Sequence, residues 1–147
     1  MVRKPLKIGI IGAGIGGLAL AIALKQNGQR VTIFEKSKIF KNIGSGLQIS
    51  ANGVKVLREL GLERTVERLS LKTESILLKN GFNGKTVGKI PLGLKAKERF
   101  SANFFQIHRA DLIEVLIAEL KRLKIELKMN TIARIKSSSM NNSKPII

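Results

Sequence analysis

A chain of 147 residues with 44% hydrophobic content can bury one core, so it is one domain or part of one. It has no cysteine, one histidine (His108) and one aspartate (Asp111), which excludes disulfides, thiolate nucleophiles and cysteine-ligated zinc. A formal net charge of +17, from 27 Lys and Arg against 10 Asp and Glu, raises polyanions as partners. The cations are scattered through every segment, however, and the only aromatics are six Phe, of which Phe34, Phe104 and Phe105 fall in apolar runs that read as buried. No nucleic acid partner is expected. A Ser-His-Asp triad would have to draw His108 and Asp111 from one short segment, which the spatial logic of a triad disfavours.

Arg3, Lys4 and Lys7 precede an uncharged run from Ile8 to Leu24, as in an export signal or membrane anchor. The run is too long for a signal core and too glycine-rich at its start for a spanning helix, so the expectation is no integral membrane segment and a cytoplasmic location. Leu6 to Ile11 reads instead as a strand, Gly12-Ala13-Gly14-Ile15-Gly16-Gly17 as a turn, and Leu18 to Leu24 as a helix apolar nearly all round, suited to a buried crossover. Gly12 allows the tight turn, Gly14 lets a pyrophosphate approach the backbone, and Gly17 permits close packing of helix on strand. The helix N-terminus then attracts the anion without a basic side chain. Asn27-Gly28 stops the helix, and Val31 to Phe34 reads as a second strand ending in Glu35. An acid there, about 20 residues past the glycines, accepts hydrogen bonds from the ribose hydroxyls of a dinucleotide.

Residues 37–45 read as a polar, basic loop leading into Gly44-Ser-Gly46-Leu-Gln-Ile-Ser50, whose two glycines suggest close backbone approach to something flat or bulky. Ala51 to Leu60 reads as a helix with Ser50 as N-cap, Val54, Leu57 and Leu60 as its apolar stripe and Gly61 as its stop. Ser75 to Lys79 and Thr86 to Ile90 form a hairpin around Asn80-Gly-Phe-Asn-Gly84, ended by Pro91. Phe104 to Ile107 is the next strand. A helix follows with Asp111 in its first turn and Leu112, Val115, Leu116, Leu120 and Leu123 on one face. Ile125 to Met129 and Ile132 to Ile135 are expected to pair as closing strands, with residues 136–147 a frayed tail.

These segments together resemble the flavin-dependent aromatic hydroxylases typified by salicylate hydroxylase and 6-hydroxynicotinate 3-monooxygenase. The resemblance covers residues 6–135 and rests on Gly12 to Gly17, Phe34-Glu-Lys36, Ile43 to Asn52, Leu57 to Leu62, Lys89-Ile-Pro-Leu-Gly93 and Ile107-His-Arg-Ala-Asp-Leu112. It implies an α/β fold: a Rossmann-like, FAD-binding βαβ unit with an added hairpin and helices. The implied cofactor residues are Gly12, Ala13, Gly14, Gly16, Gly17, Glu35, Lys36, Gly46 and Arg109, with the glycine loop near the flavin and Arg109 on phosphate or flavin-chain oxygens. The implied chemistry is reduction of FAD by NADH or NADPH and oxygen-dependent hydroxylation of a small aromatic substrate. No catalytic residue is assigned. His108 reads as a packed or hydrogen-bonded histidine, and Gln48 stands where some relatives carry a histidine that assists substrate deprotonation.

Family members continue for roughly twice this length again, through a Gly-Asp segment, a substrate-covering sheet and a helical region. No Gly-Asp pair occurs here, so the resemblance implies the N-terminal part of such an enzyme, incomplete and inactive alone, with a downstream chain as a candidate partner. Two other classes stay open on the residues alone. One is a fragment of an NAD(P)-dependent dehydrogenase; the other is a basic binding protein without catalysis.

Overall fold

The computed structural model describes residues 4–40 and 45–134. In chain order the elements are β1 (Lys7–Ile11), α1 (Ile15–Gln26), β2 (Arg30–Phe34), β3 (Gly46–Ile49), α2 (Ala51–Glu59), α3 (Glu63–Leu69) and β4 (Leu71–Lys72). There follow β5 (Ser75–Lys79), β6 (Thr86–Pro91), α4 (Gly93–Phe100), β7 (Phe105–His108), α5 (Arg109–Arg122) and β8 (Glu126–Lys128). They form two compact units, Met1–Lys41 with Leu116–Ile147, and Asn42–Val115.

The first unit is a parallel sheet of order β1-β2-β8. Ile8 pairs with Val31 and Ile10 with Ile33, while Ile33 in turn faces Leu127. Alternation sends Ile10, Val31 and Ile33 to the covered face, where Leu18, Ala21 and Ile22 of α1 are fully buried. Burial of each large aliphatic contributes about 1.5–3 kcal/mol. The helix ends as its sequence indicates: Asn27 is the C-cap, and Gly28, at φ +76°, donates its N–H to the Lys25 carbonyl at 3.0 Å.

The expected pairing of Ile125–Met129 with Ile132–Ile135 does not occur. β8 lies parallel to β2, residues 131–134 carry no strand, and Ile135 is outside the described residues. Asn130 takes φ +53°, its N–H reaches the Ser37 carbonyl at 3.0 Å, and the Thr131 N–H reaches the Glu35 carbonyl at 2.8 Å. The chain after β8 therefore follows the end of β2 instead of turning back on itself. The expected tail and Gly44 also lie outside the described residues.

The second unit holds an antiparallel sheet of order β3-β7-β4, the two-stranded β5–β6 hairpin and three short helices. Its core is built from Ile49, Val54, Leu57, Leu60, Leu62, Val66, Phe105, Ile107 and Leu112. α2 starts after Ser50 as expected, although the Ser50 hydroxyl makes no cap hydrogen bond. Gly61 follows it at φ +77°. Phe105 is fully buried, but Phe34 and Phe104 are only half-buried, contrary to the reading from their apolar runs, because each occupies a strand edge or end. Among the described residues no helix is long and apolar enough to cross a membrane.

Candidate functional site

The sequence-predicted site residues fall into two patches, one in each unit. The first lies at the carboxyl ends of β1 and β2. Gly12 turns there at φ +98°, a left-handed conformation that disfavours any side chain, and its N–H donates to the Phe34 carbonyl at 2.8 Å. Gly14 is the N-cap of α1, with no side-chain cap and no acid in the first turn, so the helix presents its first N–H groups unblocked. A Cβ at Gly12, Gly14 or Gly16 would meet nothing within 4 Å, whereas one at Gly17 would collide with the Gly12 carbonyl oxygen and lie 3.5 Å from Ile10 Cγ2. Space is thus kept in front of the turn while Gly17 seats the helix on the strand.

Glu35 ties this patch together. Its Oε2 accepts the Ala13 N–H at 2.7 Å and its Oε1 accepts the Ser37 N–H at 2.8 Å. The Ala13 bond, then the Ser37 backbone and hydroxyl, hold the carboxyl below the usual carboxylate range, with the neighbouring Lys36 charge a smaller contribution. The Glu35 main chain is fixed as well, its N–H donating to Lys128 and its carbonyl accepting from Thr131. Lys36 itself is exposed. Ser37, Asn130 and Thr131 were not foreseen as parts of this site: apart from the Ser37 hydroxyl they contribute main-chain groups, which leave no mark in a sequence.

The second patch joins Gly46 and Arg109. Gly46 pairs with His108 across β3 and β7, and the Arg109 N–H donates to the Ser45 carbonyl at 3.2 Å. A Cβ at Gly46 would meet nothing within 4 Å. Arg109 opens α5, where the positive end of the helix dipole disfavours a cation, and its guanidinium makes no ion pair or hydrogen bond among the described residues. An unpaired, half-buried cation in a first turn is poor for stability and well suited to an anionic or oxygen-rich ligand. His108 is exposed, and Gln48 faces Gln106 in the ladder. No cluster of three or more acids and histidines capable of holding a metal occurs among the described residues.

A dinucleotide fits the first patch on chemistry. Glu35 accepts two main-chain donors and the Ser37 hydroxyl, which leaves one of its four lone-pair sites for a ribose hydroxyl without breaking any of these bonds. The glycine turn, the open helix N-terminus and this carboxylate define a dinucleotide-binding α/β unit, and the chain belongs to the FAD binding domain family, which it matches over residues 6–142.

Among its relatives is 3-amino-4-hydroxybenzoate 2-monooxygenase of Streptomyces cremeus, 33% identical over 127 residues, or 86% of this chain and 32% of that protein. Another is 6-hydroxynicotinate 3-monooxygenase of Pseudomonas fluorescens, 30% identical over 78% of this chain and 30% of the relative. In structure the chain is similar to Klebsiella pneumoniae HpxO complexed with FAD and uric acid, with a TM-score of 0.78 at 25% identity, over 91% of this chain and 33% of that one. The chain thus spans about a third of the length of the curated relatives it matches. The fold expected from the resemblance, an α/β FAD-binding unit with an added hairpin and helices, is the one observed.

Proposed function

We propose that these residues hold the cofactor of a flavin-dependent monooxygenase acting on a small aromatic compound, with NADH or NADPH as electron donor. The observation that carries the reading is the Glu35 carboxylate, which bridges the glycine turn and the residues after β2 while keeping acceptor capacity beside a helix N-terminus with no side-chain cap. Gly12, Ala13, Gly14, Gly16 and Gly17 would seat the pyrophosphate, Glu35 the ribose, and Lys36 would add positive potential beside it. Gly46 would give the flavin end close access to the main chain, and Arg109 would pair with phosphate or flavin-chain oxygens. Bound FAD would supply electron transfer and oxygen activation; the protein's part is to bind it, orient the substrate and exclude water.

Hydroxylation needs walls that keep water from the reacting centre, and we assign these to polypeptide outside these residues, a downstream chain being one source. Cytoplasmic location fits the absence of cysteines and is part of the same proposal. The test is a titration of FAD fluorescence with the 147-residue chain, followed by an assay with NADH or NADPH, labelled oxygen and a panel of hydroxybenzoates and hydroxypyridines. FAD should be quenched with saturation, and nicotinamide oxidation should be slow and without labelled aromatic product. Absence of quenching would overturn the cofactor assignment. Labelled product above the free-flavin control would overturn the need for further polypeptide.

A further inference from the structure

The chain holds four Asn-Gly pairs, Asn27-Gly28, Asn52-Gly53, Asn80-Gly81 and Asn83-Gly84, and the fold treats them differently. In such a pair the glycine main-chain nitrogen can attack the asparagine side-chain carbonyl, because no Cβ shields that nitrogen. Attack needs a nitrogen free of hydrogen bonding, a carbonyl carbon held near it, and donors for the charge that develops on Oδ1. Asn27 and Asn83 lack the free nitrogen: the Gly28 N–H is held by the Lys25 carbonyl at 3.0 Å, and the Gly84 N–H by the Asn80 carbonyl at 2.9 Å. Asn27 also has its Nδ2 tied to the Ala23 carbonyl at 2.9 Å. Asn52 lies in the first turn of α2, where helical ψ holds the next nitrogen out of the plane that a five-membered imide ring needs.

Asn80, in the turn between β5 and β6, is placed otherwise. Gly81 is exposed, and among the described residues its N–H has no partner. Asn80 Oδ1 accepts the Phe82 N–H at 2.8 Å and the Asn83 N–H at 3.3 Å, so two main-chain donors already point at the oxygen on which charge would develop. The Phe82 bond closes a ring that contains both Asn80 Cγ and Gly81 N, which keeps the two atoms near each other.

We propose that Asn80 is a self-modification site, at which the hairpin turn promotes deamidation through a cyclic imide with water as the only co-reactant. Gly81 N gives its proton to solvent and bonds to Asn80 Cγ; the Cγ–Nδ2 bond breaks, and Nδ2 leaves as ammonia with a proton from solvent. Water then opens the imide at Cγ, giving aspartate, or at the Asn80 main-chain carbonyl carbon, giving isoaspartate. Nothing is oxidised or reduced. The product sets a carboxylate between Lys79 and Lys85. As isoaspartate it also lengthens the main chain by one carbon, in a turn that the Asn80 N–H closes on the Lys85 carbonyl at 2.8 Å. None of the residues assigned to the cofactor takes part.

The test incubates the 147-residue chain in heavy-oxygen water at mildly alkaline pH and digests it in ordinary water with chymotrypsin, since cleavage after Phe82 puts Asn80 and Asn83 on separate peptides. Mass spectrometry should show label entering at position 80 at least tenfold faster than at 27, 52 or 83, with isoaspartate among the products. In urea the four rates should converge, because the pairs then differ only in their neighbours along the chain. A side chain at Gly81 meets open space, so Gly81→Ala is compatible with the turn and should slow labelling of Asn80 at least tenfold. Equal rates at 80 and 83 in the folded chain, or no label at 80, overturns the proposal. So does a lead of Asn80 that persists undiminished in urea, which would assign the rate to sequence and not to the turn, or a Gly81→Ala rate equal to that of the wild type.

Discussion

Glu35 and Arg109 are charged residues at corresponding places, one where β2 ends and one where β7 ends, yet the structure treats them in opposite ways. The acid is held on its carboxylate by two main-chain donors and the Ser37 hydroxyl and on its main chain by two further bonds, with partners from the glycine turn, the next loop and the chain around β8. The base has a main-chain bond to Ser45 and a side chain with no partner among the described residues. One patch is arranged before any ligand arrives and the other awaits it. Substitutions at the packed and hydrogen-bonded positions of the first patch should therefore disturb fold and binding together, and those at its open positions and in the second patch should separate them.

The largest effect is expected at Gly17, where the comparison can be sharpened within a single turn. Gly17→Ala drives a methyl into the Gly12 carbonyl oxygen, main-chain against side chain, and should destabilise the chain by about 3 kcal/mol. Gly14→Ala meets open space at φ −74° and should change stability by less than about 0.5 kcal/mol. Urea unfolding of both variants checks this. If FAD occupies the space before the turn, Gly14→Ala should nevertheless weaken FAD quenching about tenfold, while equal stabilities for the two variants would show that the turn is not fixed by close packing.

A smaller effect, about 2 kcal/mol in FAD affinity, is expected for Glu35→Ala, the scale of charge-assisted hydrogen bonds. Its pH signature separates a held carboxylate from a surface one. Because the folded value lies below the ordinary one, the Ala13 and Ser37 bonds add stability that is fully present above the unfolded carboxylate value of about 4.3 and is lost as pH falls through the folded value. Wild-type urea midpoints should therefore fall more steeply than those of Glu35→Gln as pH falls below about 4.3. Parallel profiles would mean that Glu35 does not make these bonds in solution.

The first patch was legible in the sequence because each of its requirements selects a residue type. Positive φ selects Gly12, van der Waals contact selects Gly17, and two main-chain N–H groups converging on one side chain select an acid at 35. Both strand and helix limits around them follow from patterns of period 2 and 3.6. The second unit was harder to read where its elements are short. α3 buries Val66 alone, α4 buries Ala96 alone and β4 is two residues long, so none repeats an apolar period often enough to register. β3 was hidden by its glycine, which reads as loop, although Leu47 to Ile49 complete a ladder on β7. The pairing of β8 with β2 was missed because a parallel crossover is fixed by distant contacts, whereas adjacent apolar runs suggest a local hairpin.

The smallest effect is expected at Arg109, and its sign is the informative part. A cation in the first turn of α5 opposes the helix dipole, an interaction of about 0.3–1 kcal/mol, and Asp111, which shares that turn and favours the dipole, makes no ion pair with the guanidinium among the described residues. Arg109→Gln should therefore leave the chain as stable as before or raise its stability by about 0.5 kcal/mol, while weakening FAD quenching. Arg58 is the control in the same unit. It donates through Nε and Nη2 to Glu63 at 2.6 and 3.0 Å, and through Nη1 to the Ser101 carbonyl at 3.1 Å, so Arg58→Gln should lower stability and leave FAD quenching unchanged. Urea midpoints and flavin titrations on the two variants form a crossed pair. If Arg109→Gln lowers stability as Arg58→Gln does, the guanidinium is a structural group with an internal partner. If it lowers neither stability nor quenching, Arg109 lies outside the cofactor site. Only a loss of quenching at unchanged or raised stability fits a side chain held in readiness for a ligand.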